Sequence, residues 1–125
     1  MSKKVKIIYV DDEEVNVMLF EINFSVNFEV YSGCSGFEGL ELLDKHPDVK
    51  VVISDMKMPK MNGIEFIKIA KERYPEKKFY ILTGFEITEE IQDALQSGLI
   101  QKYFRKPFDI HEIENTIKEH CDLQE

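Results

Sequence analysis

The run Val5-Lys6-Ile7-Ile8-Tyr9-Val10-Asp11-Asp12 decides the architecture, because a β-branched and nearly all-apolar segment stops abruptly on two acids. An apolar run that does not alternate with polar residues is the mark of a strand covered on both faces, as strands are in parallel sheets. Val15, Met18, Leu19 and Ile22 then follow at helical spacing, so the first strand leads into a helix with those four residues as its expected apolar face.

The same alternation continues downstream. Phe28 to Tyr31 reads as a short second strand, and Ser35 is placed to cap a helix whose apolar positions include Phe37, Leu40 and Leu43 before Pro47 stops it. Val51 to Ser54 is a third strand. After Asp55, Pro59 and the Asn62-Gly63 pair signal turns, and a third helix runs from about Ile64 through Phe66, Ile67 and Ala70 towards Pro75. Phe79 to Leu82 forms strand four, and Ile87, Ile91, Ala94 and Leu95 set a clear helical period that Gly98 ends. A fifth strand near Gln101 to Phe104 precedes Lys106-Pro107, a pair able to hold a cis peptide. Asp109 is a fair cap for a last helix with Ile110, Ile113 and Ile117 on one face. Five strand-helix units imply right-handed crossovers and a doubly wound, five-stranded parallel α/β sheet with helices on both faces.

With 125 residues the chain fits one domain spanning 1–125, and leaves no room for a separate output domain. A formal charge of -8 without any Lys/Arg-rich stretch argues against direct DNA binding. Cys34 and Cys121 stand alone, with no zinc-ligand spacing, and read as ordinary, partly buried thiols of a reducing cytoplasm. Aspartates interrupt the first apolar run too early for a signal peptide, and no stretch approaches membrane-spanning length. A soluble, cytoplasmic protein without membrane contact is expected.

In a parallel sheet, residues that close successive strands gather on one edge. Asp11-Asp12, Asp55, Thr83 and Lys106 each close such a run. Three carboxylates in one cleft repel one another unless a hard cation or a cationic side chain sits among them. Magnesium is the natural occupant, since it takes oxygen ligands in octahedral geometry and keeps several waters. Asp55, alone after a fully apolar strand, is the best nucleophile candidate, because a carboxylate attacking phosphorus forms an acyl phosphate. Thr83, followed by Gly84, can donate its hydroxyl to a phosphoryl oxygen, and Lys106 supplies a mobile cation to the same group. Taken singly, Asp11-Asp12 reads as a solvated turn and helix cap, and Thr83 as an ordinary strand residue. The agreement of four strand ends favours the chemical reading.

Four motifs carry a resemblance: YVDD (Tyr9 to Asp12), SDMKMPKMNG (Ser54 to Gly63), LTG (Leu82 to Gly84) and YFRKPF (Tyr103 to Phe108). In order and at fitting distances, they resemble receiver domains of two-component response regulators, the CheY-like superfamily. The resemblance spans nearly the whole chain and implies a flavodoxin-like fold of strand order 2-1-3-4-5. It further implies that Asp12 is the direct magnesium ligand, Asp11 its water-mediated partner, and Asp55 the phosphoacceptor and second ligand, with the Lys57 main-chain carbonyl as the third. Thr83 and Lys106 would grip the phosphoryl oxygens, Tyr103 would report phosphorylation through its rotamer, and Lys57 and Phe85 would border the path of attacking water. One residue more than in the commonest pattern separates Gly98 from Lys106, and Leu99 stands where a small residue is usual. Met56, Met58 and Met61 read as loop packing.

The expected function is that of a stand-alone receiver. It would take a phosphoryl group from a phosphohistidine on a sensor histidine kinase or histidine phosphotransfer protein onto Asp55, with Mg2+, and then switch its binding to a downstream protein. It would not be an enzyme on a separate substrate, catalysing only its own phosphorylation and slow self-dephosphorylation. Two other classes use the same carboxylates. An aspartyl-phosphate hydrolase would need a substrate cap and a general acid, neither evident here. A phosphorylation-independent adaptor would keep its partner affinity in Asp55→Asn.

Overall fold

Strand and helix alternate from Val5 to His120: β1 (Val5–Val10), α1 (Glu14–Phe24), β2 (Phe28–Gly33), α2 (Gly36–Lys45), β3 (Val51–Asp55), α3 (Gly63–Arg73), β4 (Lys78–Thr83), α4 (Glu89–Gln96), β5 (Lys102–Arg105) and α5 (Ile110–His120). The structure is a computed structural model and describes residues 4–84 and 86–120. All strand pairs are parallel, as the alternation implied, and the order is β2-β1-β3-β4-β5, as the resemblance implied. Asp55 pairs with Leu82 and Thr83 with Arg105, so the last residues of β3, β4 and β5 reach one edge together.

Strand alternation divides the core between two faces. Ile7, Tyr9, Ile53, Tyr80, Leu82 and Phe104 pack with Phe20 and Phe24 of α1 and with Ile113 and Ile117 of α5. On the opposite face, Ile8, Val10, Val52, Phe79 and Ile81 meet α2, α3 and α4. Each fully buried side chain of this size contributes about 1.5–3 kcal/mol of transfer free energy. Helix starts are set by local chemistry: the Ser35, Asn62 and Asp109 side chains accept from the backbone N–H three residues on, and Glu65 completes a capping box on Asn62. Gly98, at φ +83, turns the chain after α4.

Three expectations need correction. Val15, Met18, Leu19 and Ile22 do not face the core; they are 46–67% exposed, and α1 buries Phe20 and Phe24 instead. Apolar side chains surround α1, and the core side goes to the larger rings. Phe20 stacks parallel on Tyr9 at 4.0 Å, and Phe24 stacks on Phe20 at 4.3 Å. Phe37 is also exposed, because α2 turns Gly39 towards α3, where a Cβ would lie 2.7 Å from the Phe66 ring. Cys34 is exposed rather than partly buried, and Cys121 lies outside the described residues. Met58 and Met61 are buried against the α3 side of the core, as gap-filling side chains should be.

Candidate functional site

The site begins one residue beyond β1. Asp11 N–H donates to Gly33 O at 3.1 Å, extending the β1–β2 ladder, and Asp11 Oδ1 accepts from Glu13 N at 3.0 Å as the chain turns into α1. Asp11 is therefore fully buried while Asp12 points to solvent. Asp55 closes β3 on the same sheet face as Val51 and Ile53, and Lys106 follows β5 on the face of Phe104. The Lys106 ammonium bridges the two acids, with Nζ 3.0 Å from Asp55 Oδ1 and 3.2 Å from Asp11 Oδ2. Thr83 ends β4 with the opposite parity, beyond Phe79 and Ile81, and its carbonyl accepts from Lys106 N at 2.8 Å. The site thus straddles the sheet edge, with the acids and lysine on the α1/α5 side and the hydroxyl on the α4 side.

Carboxylate oxygens of Asp11, Asp12 and Asp55 lie within 4.8 Å of one another, a donor set of three hard oxygens that fits a divalent cation. Burial pushes the Asp55 carboxyl up to about 6; the hydrogen bond from Lys106 opposes this, and the Asp11 charge adds to it. For Lys106, burial pulls the ammonium down, but the hydrogen bond and charge of Asp55, with the Asp11 charge, outweigh it and raise the pKa. Lys106 therefore stays cationic at neutral pH. A carboxylate perturbed by desolvation inside a like-charged cluster is the arrangement that favours binding of a cation, a proton or a cationic side chain.

Lys57 is exposed, and with Met56, Thr83 and Ile91 it lines a cavity of about 450 Å³. Gly63 passes so close to the end of β3 that a Cβ would sit 2.4 Å from Asp55 O, and its N–H donates to Met56 O at 2.8 Å. Tyr103 is half-buried on the α4 side and shares a second hollow with Leu95, Lys102 and Arg105. Phe85 lies outside the described residues. One contributor is absent from the sequence-based site. The Tyr9 hydroxyl donates to Asp11 Oδ2 at 2.6 Å. The signal is present in the chain, since residues two apart on a strand share a face. Burial and the Asp11 carboxylate hold the phenol above its ordinary range, so it remains a donor.

The family model of the response regulator receiver domain matches residues 7–118. The chain belongs to the response regulator receiver domains. This receiver is 31% identical over 121 residues to the sporulation initiation phosphotransferase F of Bacillus subtilis, covering 95% of each. It is 28% identical over 123 residues to the hydrogenase transcriptional regulatory protein HoxA of Cupriavidus necator, of which it spans 25% of the length. It superimposes on a solved response regulator receiver domain protein of Clostridium thermocellum with a TM-score of 0.85 at 28% identity, over 96% of this chain and 99% of that one. The receiver is accordingly a signalling domain of the two-component type. No helix among its described residues is long and apolar enough to cross a membrane.

Proposed function

We propose that the receiver accepts a phosphoryl group on Asp55 from a phosphohistidine of a sensor histidine kinase or histidine phosphotransfer protein in the cytoplasm, and that the phosphorylated form switches a downstream partner. The observation that carries this is the Lys106 ammonium bridging Asp55 and Asp11 inside a cluster of three acids. An Asp55 oxygen attacks phosphorus, a P–O bond forms as the P–N bond breaks, and the imidazole leaves with the electron pair. Lys106 follows the incoming phosphoryl oxygens, and the Thr83 hydroxyl donates to them from the α4 side. Asp11, Asp12, Asp55 and the Lys57 main-chain carbonyl would hold Mg2+, which supplies charge neutralisation between the acids and the phosphoryl oxygens. The name of the Bacillus relative, a phosphotransferase, supports transfer of this kind.

The partner surface is the exposed stripe of α1. Val15, Met18, Leu19 and Ile22 fall on one side of the helix, opposite Phe20 and Phe24, and Val26 is exposed just beyond its end. Leu19 adjoins a groove of about 300 Å³ lined by Asn16, Asn23, Pro107, Phe108 and Ile110. At ~1.5 Å per residue and a helix about 10 Å across, the 11 helical residues present a strip roughly 16 Å long and roughly 160 Å² in area, far below the ~800 Å² per partner of a stable dimer. That size suits a transient helical partner better than a second copy of this chain. Asp12, Glu13 and Glu14 are exposed at the end of the strip beside the site, so a donor helix with an apolar face and basic residues next to its histidine is complementary.

The test is intact mass after incubation with acetyl phosphate and magnesium. Wild type should gain one phosphoryl group, while Asp55→Asn and Asp12→Ala should not. An equal gain in wild type and Asp55→Asn overturns the assignment.

A further inference from the structure

Tyr9 belongs to the core by its ring and to the site by its hydroxyl. We propose that it sets the cation selectivity of the acidic cluster: by occupying Asp11 Oδ2, its hydroxyl keeps that carboxylate from closing directly on a large cation and so favours a small, hydrated one. The inference rests on the cation site proposed above.

Asp11 is held from three directions. Oδ1 accepts from Glu13 N at 3.0 Å, and Oδ2 accepts from Tyr9 Oη at 2.6 Å and from Lys106 Nζ at 3.2 Å. A carboxylate offers about four acceptor positions, so little is left for direct ligation. Calcium takes 6–8 oxygens at about 2.3–2.6 Å, often with both oxygens of one carboxylate, whereas magnesium keeps an octahedral shell with several waters and reaches a distant carboxylate through them. A large ion must therefore strip donors from Asp11, and a small one need not. The three donors differ in how readily they yield. Lys106 is partly exposed on an unbranched chain and can swing towards another anion. Tyr9 cannot, because its ring is fully buried and stacked at 4.0 Å on Phe20 with an interplanar angle of 2°. The hydroxyl is thus a fixed restraint on the one carboxylate of the cluster that has no exposed surface.

Calorimetric titration of the metal-free receiver with Mg2+ alone and Ca2+ alone tests this in wild type, Tyr9→Phe and Tyr80→Phe. Tyr9→Phe keeps the stacked ring and removes only the donor. Its calcium-to-magnesium affinity ratio should rise about fivefold, the worth of one net hydrogen bond, with magnesium affinity within about twofold of wild type. Tyr80→Phe makes the same deletion in a buried ring whose hydroxyl lies 2.8 Å from His120 Nδ1, and should leave the ratio unchanged. A ratio unchanged by Tyr9→Phe, equal weakening of both ions, or an equal shift in Tyr80→Phe overturns the selectivity role while leaving the cation site standing. Failure of both ions to bind wild type removes the cation site, and this role with it.

Discussion

Replacing Asp55 by Asn should stabilise the metal-free receiver at neutral pH, although it deletes a salt bridge. The Asp55 carboxyl titrates at about 6 in the fold against 3.8 for an unhindered aspartate, chiefly through burial. The folded protein therefore holds this proton more tightly than the unfolded chain does. Stability from this group is full below the unfolded value, is lost as pH rises from about 4 to about 6, and stays lost above. The gap between 3.8 and about 6, at ~1.36 kcal/mol per pH unit, comes to roughly 3 kcal/mol. Asparagine carries no charge and still offers Lys106 an amide oxygen, so most of that cost disappears. With the side chain 10% exposed, we round the gain down to about 2 kcal/mol at pH 7.5, falling to less than about 1 kcal/mol at pH 4. Urea unfolding with chelator present, at both pH values, measures the two differences. On heating, the neutral-pH gain corresponds to roughly 7 °C for a chain of this length. Destabilisation by Asp55→Asn at pH 7.5, or the same difference at both pH values, would refute the reasoning.

Three further outcomes are expected. Met18→Lys with Ile22→Lys should change stability by no more than about 0.5 kcal/mol and leave acetyl phosphate labelling intact, yet slow transfer from a phosphohistidine protein at least about tenfold; equal slowing with both donors would count against the α1 surface. Lys60 sits at φ +71 in a turn closed by Met61 N to Pro59 O, so Lys60→Gly should raise stability by about 1 kcal/mol in urea unfolding, where a loss would contradict the strain. Gly63→Ala should cost about 2–3 kcal/mol and reduce labelling of Asp55, since its Cβ would displace the acceptor backbone; wild-type labelling at wild-type stability would show that the loop yields freely.

Features encoded by neighbours along the chain are legible in the amino-acid sequence. Ser35, Asn62 and Asp109 cap their helices through bonds to backbone only three residues away, and β1 ends where its acids begin. The meeting of Asp11, Asp55, Thr83 and Lys106 at one edge follows from parallel pairing alone. The outward face of α1 does not follow, because its apolar residues satisfy helical spacing on two opposite sides. What chooses between them is a stack of rings, Tyr9 on Phe20 on Phe24 with Phe108 against both helix rings, joined across three elements. Phe37 misleads for a similar reason, since the glycines beside it, not its own hydrophobicity, decide which side of α2 meets Phe66. The Lys106 bridge and the Tyr9 bond depend on side-chain reach within a few tenths of an ångström, which strand ends alone do not specify.

Helix α1 keeps its core face and its proposed docking face on opposite sides. Phe20 and Phe24 anchor the fold, while Met18, Leu19 and Ile22 carry no share of the interior. Substitutions on the outer side are therefore nearly neutral for folding, and a lineage can exchange one set of outer side chains for another without passing through an unfolded intermediate. The acids and lysine of the proposed phosphoacceptor site stay untouched by such exchange. Paralogous copies of this chain could diverge in which donor they obey while sharing one chemical apparatus, and a few residues on a single helix would suffice to keep parallel signalling lines insulated within one cell.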